Sequence, residues 1–197
     1  FGIRHQSDSR RVEVIGFLSD YDNLLGECTA SSGANCEVGD AFNGNAVTVR
    51  GVEFMAATEL AGSNVPLELA YTYIDGSFDT DIADTAFFGD VSAGDPIPYI
   101  PKHQLYAMVG FVQPQWAVHL SANFVDETCV RAACGVFEMT DSSFTVDIAG
   151  RWSVNDNLGL FARVENLADS LDIVGLHPYG ARPNKSRTAL VGLDLSF

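Results

Sequence analysis

No stretch of this 197-residue chain approaches the roughly 18 consecutive apolar residues that a membrane-crossing helix needs, although 47% of its residues are hydrophobic. A helical membrane protein is thereby excluded. Cations are scarce too: 11 Lys and Arg stand against 26 Asp and Glu, a formal charge of -15 that repels phosphate and argues against a nucleic-acid partner. The chain opens Phe1-Gly-Ile-Arg4, without initiator Met, basic segment or apolar leader, so any export signal is expected to have been removed or to lie upstream. Residues 1–5 already read as strand, as though the chain began in the middle of a fold. Catalytic signatures are missing as well. His5, His103, His119 and His177 are scattered and no Ser sits in a G-x-S-x-G elbow, so an enzyme is not expected.

Cysteine is limited to four residues, in two close pairs, Cys28 with Cys36 and Cys129 with Cys134. Each pair lies within one polar connection and neither has the C-x2-C spacing of a zinc site, so two local disulfides in an oxidising compartment are the economical reading. The acids cluster in connections also, Asp20, Asp22, Glu27, Glu37 and Asp40 in one, Asp75, Asp79, Asp81, Asp84, Asp90 and Asp95 in another. A solvated acidic rim explains them. Calcium on Asp79, Asp81 and Asp84 is the competing reading, but the Gly and terminal Glu of an EF-hand loop are lacking.

What the chain does hold is alternation with a period of two. At the C-terminus Ala189, Val191, Leu193, Leu195 and Phe197 share one face, and Thr188, Gly192, Asp194 and Ser196 the other, with Leu190 as the exception. About ten such residues match a tilted strand crossing a hydrocarbon layer of roughly 30 Å. The same pattern predicts strands over residues 1–7, 10–20, 50–58, 67–73, 103–112, 116–124, 144–152 and 158–165. Phe161, Arg163 and Glu165 fall on the polar side of the last of these, as Asp147 and Arg151 do in the one before.

Short turns (8–9, 61–64, 113–115, 154–157) alternate with long connections (21–45, 76–102, 125–142, 166–186). An antiparallel meander of about nine strands therefore puts every short turn at one end and every long loop at the other. Short turns, long loops, one greasy face and one wet face are the pattern of a transmembrane β-barrel. Aromatic residues near strand ends (Tyr71, Tyr73, Trp116, Phe124, Phe144, Trp152) fit interfacial girdles. A secreted soluble β-sandwich binding module would also alternate, and a passive porin-like channel would share the barrel.

Several segments resemble TonB-dependent outer-membrane receptors: Arg50-Gly-Val-Glu-Phe54, Val164-Glu-Asn-Leu-Ala-Asp169, and Tyr179-Gly-Ala-Arg-Pro-Asn-Lys-Ser-Arg-Thr188 leading into the Phe-terminated strand. Ile97-Pro-Tyr-Ile-Pro-Lys-His-Gln-Leu-Tyr106 is similar to the branch that includes ferric dicitrate receptors. The resemblance implies a barrel of about 22 strands around a plug domain, in which residues 1–197 would form the C-terminal portion, roughly strands 14 to 22. It implies a Gram-negative outer-membrane location with the long loops extracellular, and active import of a ferric chelate, with no resident cofactor. It also implies as partners the rest of the barrel and its plug, the TonB energy-coupling protein acting on an N-terminal region outside this chain, outer-membrane lipid, and the barrel-assembly machinery, which would engage the terminal strand ending in Phe197. For an anionic chelate the candidate ligand-binding groups are His177, Tyr179, Arg182, Lys185 and Arg187, with Arg131, because guanidinium forks match carboxylates. Pairing of Arg182 and Arg187 with acids on neighbouring loops is the structural alternative.

Overall fold

The computed structural model describes residues 1–28, 37–60, 63–85, 89–176 and 180–196, without the side chains of residues 42, 84, 85 and 89. Its described residues contain fifteen strands and no helix. In chain order they are β1 (Gly2–Gln6), β2 (Arg10–Tyr21), β3 (Leu25–Glu27), β4 (Ala41–Asn43), β5 (Val47–Leu60), β6 (Val65–Phe78), β7 (Ile82–Thr85), β8 (Gly89–Val91), β9 (His103–Val112), β10 (Trp116–Val125), β11 (Ser143–Asn155), β12 (Leu158–Glu165), β13 (Ile173–Gly175), β14 (Arg182–Pro183) and β15 (Thr188–Leu195).

Nine of them make one antiparallel sheet in the order β1-β2-β5-β6-β9-β10-β11-β12-β15, and the other six form three two-stranded hairpins inside the long connections. The sheet is a pure meander, so every short turn lies at one end and every hairpin-bearing connection at the other. β5 and β6 are longer than their alternation predicts, each reaching 14 residues. They gain two residues each beside the 61–64 turn and more at the long-loop end, where Thr48, Arg50, Asp75 and Ser77 replace apolar side chains on the otherwise greasy face.

Directly opposed residues share a face, and the ladders make the two faces explicit. One row runs Ile3, Val14, Phe54, Tyr71, Leu105, Phe124, Phe144 across seven strands. Nearer the short turns, Trp116 opposes Trp152, which opposes Leu160 and then Leu193. From Trp116 to Phe124 a strand rises about 27 Å, or about 20 Å along the normal at a tilt near 40°, close to the apolar band of about 25 Å on known membrane barrels. No second layer covers this face among the described residues: Val191 is 79% exposed, Leu193 63% and Trp152 52%. A sandwich would have enclosed them, so the sandwich expectation fails on this point.

The opposite face carries Arg4, Glu13, Glu53, Glu68, Asn123, Asp147, Arg151, Arg163 and Asp194. Three of its rings lie over glycines. Phe17 opposes Gly51, His119 opposes Gly110 and Phe161 opposes Gly192, and a Cβ at any of these glycines would meet the facing ring. This accounts for Phe161 on a polar side.

Candidate ligand-capturing rim

The buried apolar cluster of the described residues lies at the long-loop end, on the polar face, rather than in the sheet. Val47 and Phe78, the last opposed pair of the β5–β6 ladder, pack with Val91 and Ala132, and Leu24, Ile82 and Ile97 close around them. Three long connections thus converge on one knot: Leu24 comes from the first, Ile82, Val91 and Ile97 from the second, Ala132 from the third. Full burial of Val47, Phe78 and Val91 stabilises the knot by about 1.5–3 kcal/mol each.

Each connection is fastened by its own polar contacts. Prolines cannot donate to a ladder, and residues 96–101 accordingly run beside β6 with sparse bonds, Ile97 N donating to Gly76 O and Ile74 N to Lys102 O. Tyr99, between two prolines, has a φ of +60° and donates its N–H to the Cys129 carbonyl. A disulfide joins Cys129 to Cys134, with Cα atoms 5.6 Å apart, and Ala132 enters the knot from between them. Cys28 is buried, while Cys36 lies outside the described residues.

The fourth connection is held by Asn166, which is almost fully buried with a φ of +52°. Its main-chain N–H donates to Asp147 Oδ1 at 2.8 Å, and its side-chain Nδ2 donates to the carbonyls of Ser170 and Lys185 at 2.8 and 2.9 Å. Nearly every polar atom of this one residue is used, and both ends of the loop are tied to it. The Asn-Leu pair was legible as a motif, but the clamp was not.

The sequence-predicted ligand groups do not gather into one pocket. Lys185 Nζ pairs with Glu165, whose other oxygen faces Arg163 at 3.1 Å. Arg187 Nη2 lies 3.6 Å from Asp169 and Nη1 donates to the Leu167 carbonyl. Arg131 Nε sits 3.5 Å from Glu138 within its own loop. The Arg182 guanidinium rests against Gly175 across the β13–β14 hairpin. His177, Tyr179 and Phe197 lie outside the described residues. As for calcium, Asp79 accepts from Thr48 Oγ1 and Asp81 from Ala93 N, and no group of three or more His, Cys, Asp or Glu is placed to hold a metal among the described residues.

Lower on the polar face two further clusters appear. Glu13 is chelated by Arg4, at 2.6 and 2.8 Å, and approached by Arg11 at 3.4 Å. Arg151 lies 3.4 Å from Asp194 near the short turns. The exposed Arg151–Asp194 pair is worth roughly 0–1 kcal/mol, whereas Glu13 is itself buried and held from two sides.

Residues 1–167 match the family described as TonB dependent receptor-like, beta-barrel. Among solved structures, the fold is similar to the ferric yersiniabactin uptake receptor FyuA from Yersinia pestis (16% identity, 100% of this chain, 29% of that one, TM-score 0.75). It is similar also to the ferric citrate transporter FecA (18% identity, 98% and 30%, TM-score 0.75) and the copper transporter OprC (17% identity, 100% and 30%, TM-score 0.72). The chain spans less than a third of the length of each of these. No curated protein matches the sequence.

Proposed function

From the membership of this chain in the TonB-dependent receptor-like β-barrel family, we propose that it forms part of the wall and rim of an outer-membrane receptor that imports a ferric chelate. One observation carries the reading: a nine-stranded sheet whose apolar face is left uncovered while its charged face meets the folded loops. In this reading lipid covers the first face, water and a plug domain meet the second, and the long connections are extracellular. The plug, and the energy-coupling TonB protein, would act through other parts of the receptor.

Residues 1–197 are in this proposal the C-terminal stretch of a larger barrel. Eight antiparallel ladders in succession leave β1 and β15 running in the same direction. They cannot close on one another as an antiparallel pair, and in lipid each unpaired edge group costs several kcal/mol. An odd number of further strands must complete the wall, which a barrel of about 22 strands satisfies.

The cargo we propose is an anionic ferric chelate, a siderophore or ferric citrate, supported by the names of the receptors of like fold. His177, Tyr179, Arg182, Lys185, Arg187 and Arg131 remain its candidate contacts. Carboxylates of the chelate would replace Glu165, Asp169 and Glu138 beside Lys185, Arg187 and Arg131, an exchange between weak surface pairs. Growth and iron uptake on ferric citrate as sole iron source, with and without the intact gene, test the substrate. Unchanged uptake removes the citrate reading, and extraction of the protein without detergent removes the membrane reading as a whole.

A further inference from the structure

The uncovered face changes character abruptly at one row. Below it lie Phe54, Tyr71, Leu105 and Phe124, and then Val52, Tyr73 and His103. Tyr71 Oη and His103 Nδ1 share a hydrogen bond of 2.8 Å, and the Tyr73 ring stands 5.3 Å from the imidazole. One step further out, Leu18, Arg50 and Asp75 oppose one another. Arg50 donates through Nε and Nη2 to Asp75 Oδ2 at 3.1 and 2.8 Å, and Lys102 Nζ approaches Asp75 Oδ1 at 3.9 Å.

Two cations thus share a single carboxylate and stay open, Arg50 68% and Lys102 59% exposed. A step of two residues is about 7 Å along a strand, or about 5 Å along the normal, the depth at which a headgroup layer of about 5–7 Å borders the hydrocarbon. In the row beyond, Thr48 lies between Asp20 and Asp79, so the positive zone is one row deep.

We infer that Arg50 and Lys102, over the Tyr71, Tyr73 and His103 platform, form a seat for the phosphorylated headgroup of a lipid in the outward leaflet. The inference rests on the membrane reading above. A phosphomonoester takes a guanidinium fork from one side and an ammonium from the other, while its acyl chains lie along the apolar rows below. Asp75 holds the two cations apart and competes with the phosphate for both.

That competition sets the test. Affinity of the detergent-purified receptor for a bisphosphorylated acyl glycolipid, for the same glycolipid after phosphatase treatment, and for inorganic phosphate is measured by native mass spectrometry. The seat predicts a loss of about tenfold or more in the Arg50→Gln, Lys102→Gln double variant and on dephosphorylation, with a gain in Asp75→Asn. Equal affinity for the phosphorylated and stripped lipids, or a loss in Asp75→Asn as large as in the double variant, overturns it. Inorganic phosphate displacing the lipid at micromolar concentration overturns the lipid as occupant. Iron uptake is expected to be the same in all variants. A protein soluble without detergent would instead defeat the membrane reading.

Discussion

Phe161 on β12 lies across Gly192 on β15, and a Cβ on that glycine would collide with the ring. The pair gives the terminal ladder a side-chain contact where glycine alone would supply none. Gly192→Ala is expected to displace the ring and cost about 1–3 kcal/mol, read as a lower denaturation midpoint of the detergent-folded protein. The Phe161→Leu, Gly192→Ala double variant should recover part of the loss. A double variant no better than Gly192→Ala would contradict the pairing.

Leu120 stands midway between the Trp116 and Phe124 rows on the uncovered face, and its neighbour Ser121 points to the charged one. Leu120→Arg should lower folding stability in bilayers by about 2–4 kcal/mol, and Ser121→Arg by far less. Equal effects at the two positions would refute the assignment of faces.

Removing the Asn166 side chain orphans the carbonyls of Ser170 and Lys185 and the N–H of Ser170. Asn166→Ala is expected to cost about 1–3 kcal/mol and to open residues 167–187 to protease while the strands stay protected. Asn166→Gly keeps the backbone angle without the clamp and should be the milder change.

Cys129→Ser with Cys134→Ser removes a closure whose loss, by chain entropy, amounts to about 2 kcal/mol for so short a loop. Hydrogen exchange should quicken at residues 126–142 and at Val47, Phe78 and Val91, which pack against Ala132. Exchange across β10 and β11 should stay as slow as before.

The wall was legible in the sequence wherever one face is apolar. The spans 103–112 and 158–165 coincide with β9 and β12 because Leu105, Val109, Leu160 and Val164 alternate cleanly up to a polar connection. Pattern failed where β5 and β6 outrun the apolar band, since the alternation changes phase there: Thr48, Arg50, Asp75 and Ser77 carry the greasy face on as a polar one, while Val47, Val49, Ile74 and Phe78 turn apolar side chains to the other. The hairpins β3–β4, β7–β8 and β13–β14 are too short for any period to register. Ion pairs such as Arg187 with Asp169 join distant points of one loop, and spacing says nothing of them. The knot around Val47 and Phe78 was hidden for another reason. Its members come one or two at a time from separate connections, and converge only because the meander stacks those connections at one end.

The location of that knot divides the molecule's cohesion in two. The rim carries its own dry interior and a disulfide beside it, so its stability is expected to respond to reductant. The strands beneath enclose nothing of their own: their Leu, Val and Trp side chains find their surroundings outside the protein. Thickening or thinning the host bilayer should therefore shift the melting of the wall and leave the rim's transition where it was.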